Sequence, residues 1–477
     1  MCDFILKNGV VITMDPERRI IADGAVAVQG ERIVAVGPTD EVLANCKSEK
    51  VIDASRKVIM PGLIDGHAHA GHALVKSLGA DRGDAWQEAC YHIYQRGSDE
   101  AFWYAEAQLS ALERIKCGTT TSVNLLGGGD NVMRTDAASF GQAHCEAVQK
   151  AGIREFLAVG PGRLPFPKRF ARWSGNLSRD VLISWEQQLK VCEDLIYTWH
   201  RAGDGRISIC LTLPVYSSAD GLSASEFDNL QQMAHQTYAL SQQYQLLFIQ
   251  DGHKKGTIQF THEKFGLLGP RSIFAHCIDL TAQEIDLCRQ TDTRIVHNPS
   301  AIYSILGRCP VPELLDAGVT VFLGSDGVAP DRSYDMFRHM FQCMRYHRTY
   351  YRDPDVLPAG KVLEMVTIDA ARGLGMEQEI GSLEVGKLAD IILIDLYQPH
   401  LYPMNMPAYR VAYYASGADV DTVIVGGKFL MEKRVVNTLD ETETLDLAES
   451  ALEKALQRTG LGYLQSLPEH FWGHSRL

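Results

Sequence analysis

His67 and His69 stand two residues apart at the end of an apolar run, Val58-Ile59-Met60-Pro61-Gly62-Leu63-Ile64-Asp65-Gly66-His67-Ala68-His69. Read as a strand, the run puts side chains at i and i+2 on one face. Two neutral imidazoles aimed together make half of a site for a divalent metal. Three downstream runs end in further donors. His276 follows Ile273-Phe274-Ala275, His297 follows Ile295-Val296, and Asp326 closes the β-prone run Val319-Thr320-Val321-Phe322-Leu323-Gly324-Ser325. A carboxylate beside such an ion can bind it and accept a proton from the bound water. A divalent ion lowers the pKa of that water from about 15.7 to near 7. Hydrolysis at neutral pH is therefore the chemistry open to this set.

Donors at the ends of successive strands need a frame that brings those ends together. A (β/α)8 barrel does this, and its loops at the carboxyl ends of the strands build active sites. Residues 59–376 alternate strand and helix as such a barrel requires. The spacing predicts helices over residues 101–117, 138–150 and 225–244, and glycines at 118 and 152 serve as stops. Residues 1–58 alternate in the β manner at 9–13, 24–28 and 32–36, and residues 377–437 do so at 390–395 and 422–428. Residues 438–477 form a tail, with a Glu-, Leu- and Ala-rich helix over 441–458 that covers the barrel or a neighbouring subunit. Two β-rich flanks allow either one shared small domain or two separate ones.

Composition suits a large enzyme. The 477 residues are 45% hydrophobic and 22% charged, enough for a barrel of roughly 250 residues plus a smaller domain. The net charge of −13, from 46 basic and 59 acidic residues, disfavours a nucleic-acid partner, which prefers a basic face. The first nine residues lack the basic start and apolar core of a secretory signal. No apolar run reaches the roughly 18 residues of a membrane span. The 11 cysteines are scattered without a Cys-x-x-Cys pair, as free thiols of a cytoplasmic protein would be.

The segments Pro61-Gly62-Leu63-Ile64-Asp65-Gly66-His67-Ala68-His69 and Gly324-Ser325-Asp326-Gly327 resemble the amidohydrolase superfamily. His297-Asn298-Pro299-Ser300, followed by Pro310-Val311-Pro312-Glu313-Leu314-Leu315-Asp316-Ala317-Gly318, resembles its branch of aminoheterocycle deaminases and triazine hydrolases. Ile380-Gly381-Ser382-Leu383-Glu384-Val385-Gly386-Lys387-Leu388-Ala389-Asp390 is similar to that superfamily's return strand. The resemblance covers about residues 3–437. It implies an α/β fold, a (β/α)8 TIM-like barrel with a small discontinuous β-sandwich closed by both ends of the chain. It implies a small-molecule substrate, a homo-oligomer, and one divalent metal ion per chain. Zinc is the default, and iron, cobalt and manganese also suit nitrogen and oxygen ligands.

On that resemblance His67, His69 and Asp326 are metal ligands, and His276 polarises the substrate or holds water. The fifth strand departs from the family pattern. Related deaminases carry a metal-binding histidine there and a glutamate three residues later; this chain has Gln250 and His253. If the strand ends at Gln250, His253 is an acid/base or substrate contact. If the loop folds back, His253 completes the metal shell, and imidazole's better affinity for such metals favours this assignment. Asp251 is expected to point away. Residues 153–160, read as the fourth strand, contain no lysine to bridge a second ion. His72, Trp86, Gln250 and His297 are the candidate substrate contacts.

The missing glutamate bears on function. In heterocycle deaminases that carboxyl passes a proton to a ring nitrogen as the amine leaves. Hydrolysis of an amide, urea or carbamate-like C–N bond demands less ring protonation, so it is expected ahead of ammonia-releasing deamination. Metal-activated water, Asp326 and His276 carry the expected mechanism. A binding protein on a degraded enzyme scaffold is the alternative from another class.

Overall fold

The structure, a computed structural model, describes residues 1–128 and 132–473. Among these, eight parallel strands form one sheet in chain order: Leu63–His69, Thr119–Leu125, Arg154–Val159, Ile207–Thr212, Phe248–Gln250, Ser272–Ala275, Arg294–His297 and Val321–Leu323. Parallel neighbours need a crossover between them, and helices such as Glu100–Lys116, Ala138–Ala151 and Ala224–Gln243 supply it. The strands are largely buried on both faces, so runs such as Phe248-Ile249 and Val321-Phe322-Leu323 are apolar without alternating. Ile64, Val123, Ala158, Ile249, Ala275, Val296 and Phe322 fill the barrel interior. Leu63, Leu157, Leu211, Phe248, Phe274 and Ile295 face the helices.

Residues 153–160 belong to the third strand, not the fourth. The fourth is Ile207–Thr212, Ile-Ser-Ile-Cys-Leu-Thr, whose polar Ser208 and Thr212 interrupt the apolar signal. It too lacks a lysine. The short connection after the fifth strand still holds a helix, Thr257–Phe265, about 13 Å long at 1.5 Å per residue.

The last strand closes on the first through two glycines. A Cβ on Gly66 would lie 2.4 Å from the Phe322 ring, and one on Gly324 would lie 2.5 Å from Asn298 Oδ1 and 2.7 Å from the His67 backbone nitrogen. The backbone N–H of Asp326 donates to the His67 carbonyl at 2.8 Å. Gly324→Ala should therefore cost about 1–3 kcal/mol, the range for overpacking. The expected result is a lowered melting temperature with helix content retained; an unchanged melt would show that this closure has slack.

The two chain ends meet in a second sheet. Phe4–Ile12 pairs antiparallel with Ile20–Gln29 and parallel with Lys50–Asp53 and Lys57–Pro61. Lys57–Pro61 pairs antiparallel with Ile391–Asp395, and the sheet continues to Val420–Val425 and Lys428–Glu432. Phe4, Leu6, Val26, Ile59, Ile391 and Ile424 share a core of their own. The helix Glu441–Thr459 covers the barrel, packing on Glu100–Lys116 and the π-helical turn Ile93–Gly97. Lys454 and Arg458 pin it to Asp99 at 2.7 and 2.8 Å.

Candidate active site

Three histidines and two aspartates converge at the carboxyl ends of the first, fifth, sixth and eighth strands. His69 Nε2 lies 3.2 Å from Asp326 Oδ1 and 3.3 Å from Asp251 Oδ2. His67 Nε2 lies 3.3 Å from Asp251 Oδ1 and 3.8 Å from Asp326 Oδ1. His276 Nε2 lies 2.8 Å from Asp251 Oδ1. Donors bound about 2.0–2.2 Å from one ion sit roughly 3.0–3.6 Å apart, and these separations bracket that range. Neither ring nitrogen of His67 has a hydrogen-bond partner, although the residue is fully buried. Orphaned buried polar groups are rare, and a cation in the cluster would take up the Nε2 atom, the one that faces Asp251 and Asp326. The donor set fits a divalent metal.

Electrostatics favours the same occupant. Burial alone would push the His69 imidazolium down, but Asp251 and Asp326 outweigh it and raise it to about 10. Burial would raise the Asp326 carboxyl, but Arg332 and His69 hold it well below the usual carboxylate range. Two ionised carboxylates thus gather cations, and a metal can replace the proton. His69 Nδ1 donates to the Gly127 carbonyl at 3.1 Å, which turns the Nε2 lone pair toward the centre. Asp326 and His276 both have positive φ, +62° and +69°, as the chain bends sharply at each strand end.

Asp251 is the residue that sequence patterning missed. Leu247 and Ile249 point into the barrel, so Asp251 follows them inward by the i, i+2 rule. Gln250, like Phe248, points outward, where its amide donates to the Leu213 carbonyl at 3.3 Å. Gln250 does not line the cavity. Nor is His253 in the donor cluster: Gly252 at φ +94° swings the chain over the sixth strand. The His253 ring stacks on Phe274 at 4.1 Å, and its Nδ1 meets Thr257 Oγ1 at 3.0 Å. The place in the donor cluster expected for His253 is occupied by Asp251, two positions back.

A buried layer beneath the donors fixes their strands. Asp65 accepts from the Ser325 N–H at 2.8 Å, the Ser325 hydroxyl at 2.7 Å and Arg114 at 3.1 Å. Arg114 also reaches Asn124 at 3.0 Å, and Asn124 donates to Glu155, which pairs with His144. Asp65 thereby ties the first strand to the residue before Asp326.

The donors open into a cavity of about 190 Å³ whose wall includes His72, Trp86, Tyr91, Tyr303 and Arg332. His72 stacks on His69 with ring centres 5.2 Å apart, and Trp86 meets His72 edge-on at 6.3 Å. Burial, then the charge of His69, holds the His72 imidazolium well below its ordinary value. His297 does not line this cavity. It shares the outward parity of Ile295 and faces His347 at 5.3 Å behind the barrel wall. The proline-rich segment at residues 160–173 becomes partly a hairpin, Lys168–Ser174 with Leu177–Ile183, away from the cavity.

A family model described as "Amidohydrolase family" matches residues 58–430, and one described as "Imidazolonepropionase-like composite domain, bacteria" matches residues 24–45. A 5-methylthioadenosine/S-adenosylhomocysteine deaminase of Syntrophobacter fumaroxidans is 32% identical, over 93% of this chain and 96% of its own. A 5'-deoxyadenosine deaminase of Methanosarcina acetivorans is 31% identical, over 96% of this chain and 99% of its own. Among solved structures, an adenosine deaminase from Xanthomonas campestris with bound zinc has a TM-score of 0.81 at 22% identity, covering 96% of this chain and 99% of that one. An atrazine chlorohydrolase from Arthrobacter aurescens complexed with zinc has a TM-score of 0.76 at 21% identity, covering 94% of this chain and all of that one.

Proposed function

The chain belongs to the amidohydrolase family and is a hydrolase acting on C–N bonds other than peptide bonds, and from that premise we propose that it removes the exocyclic amino group of a flat nitrogen heterocycle, with one divalent ion, zinc by preference, at the barrel mouth. The observation that carries this reading is the convergence of His67, His69, Asp251, His276 and Asp326 on one point beside an aromatic-walled cavity. A divalent ion bound there supplies Lewis acidity and a water of lowered pKa. On this reading Asp326 would take the proton of the attacking water and return it to the leaving nitrogen; its Oδ1 accepts from the Gly327 N–H at 2.6 Å. His276, whose Nε2 lies 2.8 Å from Asp251 Oδ1, would serve as a further donor to the ion. The His72 ring lines the same cavity, stacked on His69 and edge-on to Trp86, where it would bound the substrate. Trp86 and Arg332, 5.9 Å apart, form a flat wall against which an aromatic ring can lie.

A purine nucleoside-like substrate is proposed on the names of the full-length relatives. Amide, urea or carbamate cleavage is the second reading, favoured by a specific observation. Among the described residues, Asp251 and Asp326 are the only carboxylates on the cavity wall, and both serve the donor cluster. A cytoplasmic setting is proposed on eleven free cysteines, and a homo-oligomer on the family resemblance. No described helix is long and apolar enough to cross a membrane.

Product analysis separates the two readings. The metal-loaded protein is expected to release one ammonia per heterocycle consumed from a panel of 5'-modified adenosines. Release of larger amines from ureas or amides, with no ammonia from any heterocycle, would replace deamination by the second reading. No turnover of either class with metal bound would return the protein to the binding class.

A further inference from the structure

A second set of metal-ligand side chains lies on the outer side of the barrel wall. Val296 points into the barrel, so its neighbour His297 points out, toward the helix Met336–Tyr351. On that helix Cys343 and His347 are four residues apart and share a face. His297, Cys343 and His347 each offer one donor atom, and the three atoms lie within 4.8 Å of one another. All three residues are 0% exposed. None of the four ring nitrogens of His297 and His347 has a hydrogen-bond partner. Polar groups inside a packed wall nearly always find partners, and here two adjacent imidazoles have none.

We propose that His297, Cys343 and His347 bind a zinc-class cation, a structural metal site separate from the barrel mouth. Two imidazoles and a thiolate form a borderline-soft set that selects zinc over magnesium or calcium. On binding, the Cys343 thiol loses its proton to solvent and its sulfur joins the ion. Both imidazoles are ready to bind as neutral rings: burial pushes His347 down to about 4 and His297 well below its ordinary value, with His347 adding to the second shift. Such an ion would pin the seventh strand to the helix after the eighth. The next residue, Asn298, lies 3.5 Å from His276 Nδ1, so the clamp would steady one edge of the active site.

The test uses the intact protein expressed in cobalt-supplemented medium. Donors at the mouth are nitrogen and oxygen only, so thiolate-to-cobalt charge-transfer absorption reports the second site alone. Wild type should hold two cobalt ions per chain and show this absorption. Cys343→Ser and His347→Gln should each lose one ion, the first with complete loss of the absorption. His67→Ala, which damages the mouth, should keep it. Wild-type protein with cobalt at the mouth and no thiolate absorption would overturn the proposal, whether or not the variants fold. So would absorption that survives both substitutions.

Discussion

Asp251→Ala should strip the ion from the barrel mouth and lower turnover by more than about a hundredfold, beyond the 10–100-fold typical of an outer-layer partner. Its two oxygens lie 2.8–3.3 Å from the Nε2 atoms of His67, His69 and His276, so one carboxylate spans three imidazoles. Without it Asp326 is the only anion left in the cluster, and a doubly charged ion would rest on mostly neutral donors. His253→Ala is the contrasting variant. Its ring contacts Phe274 and Thr257 rather than the cluster, so it should keep the mouth ion. Truncation of a buried ring should instead cost roughly 2 kcal/mol or more of stability. Metal content per chain, compared between the two variants and wild type, decides the matter. Loss of the mouth ion in His253→Ala and its retention in Asp251→Ala would reverse the assignment.

The contrast between these two residues shows where the sequence stops being legible. His67, His69 and Asp326 could be read because each pairs a donor with a strand end that has one plausible direction. The i, i+2 pair fixes its own face, and glycines flank Asp326 where the chain must turn. The fifth strand offers no such mark. Leu247, Phe248 and Ile249 are all apolar because a parallel barrel strand is buried on both sides, so parity cannot be recovered from hydrophobicity. Only packing reveals that Ile249 is inside and hence that Asp251 is too. The bend that removes His253 depends on the positive φ of Gly252, and a lone glycine in a loop is a weak signal. His297 failed in the same way: its position at a strand end was clear, and its outward face was not. The long helices were easier, since Glu100–Lys116 and Ala138–Ala151 carry a helical period and end beside glycines. The fourth strand was missed because Ser208 broke the one cue available.

Asp326→Asn should lower kcat by about 10³–10⁴-fold, the upper part of the range for a positioned acid/base group, while fold and metal content stay near wild type. Asparagine keeps an oxygen where Asp326 Oδ1 now accepts from Gly327, and it can still offer that oxygen to an ion. The backbone bond from residue 326 to His67 and the Ser325–Asp65 contacts do not involve the carboxyl. Nor does the substitution strain the chain, because asparagine tolerates the left-handed φ of +62° at this position as readily as aspartate does. What asparagine cannot do is hold a proton from water and deliver it to nitrogen. The deficit should therefore appear in kcat rather than in KM, with an unchanged melting temperature and one ion still at the mouth. Near-normal kcat in a variant that retains its metal would move the proton transfer to another cavity group, with His72 the next to test. Loss of the metal together with activity would instead make charge at residue 326, rather than proton transfer, its main contribution.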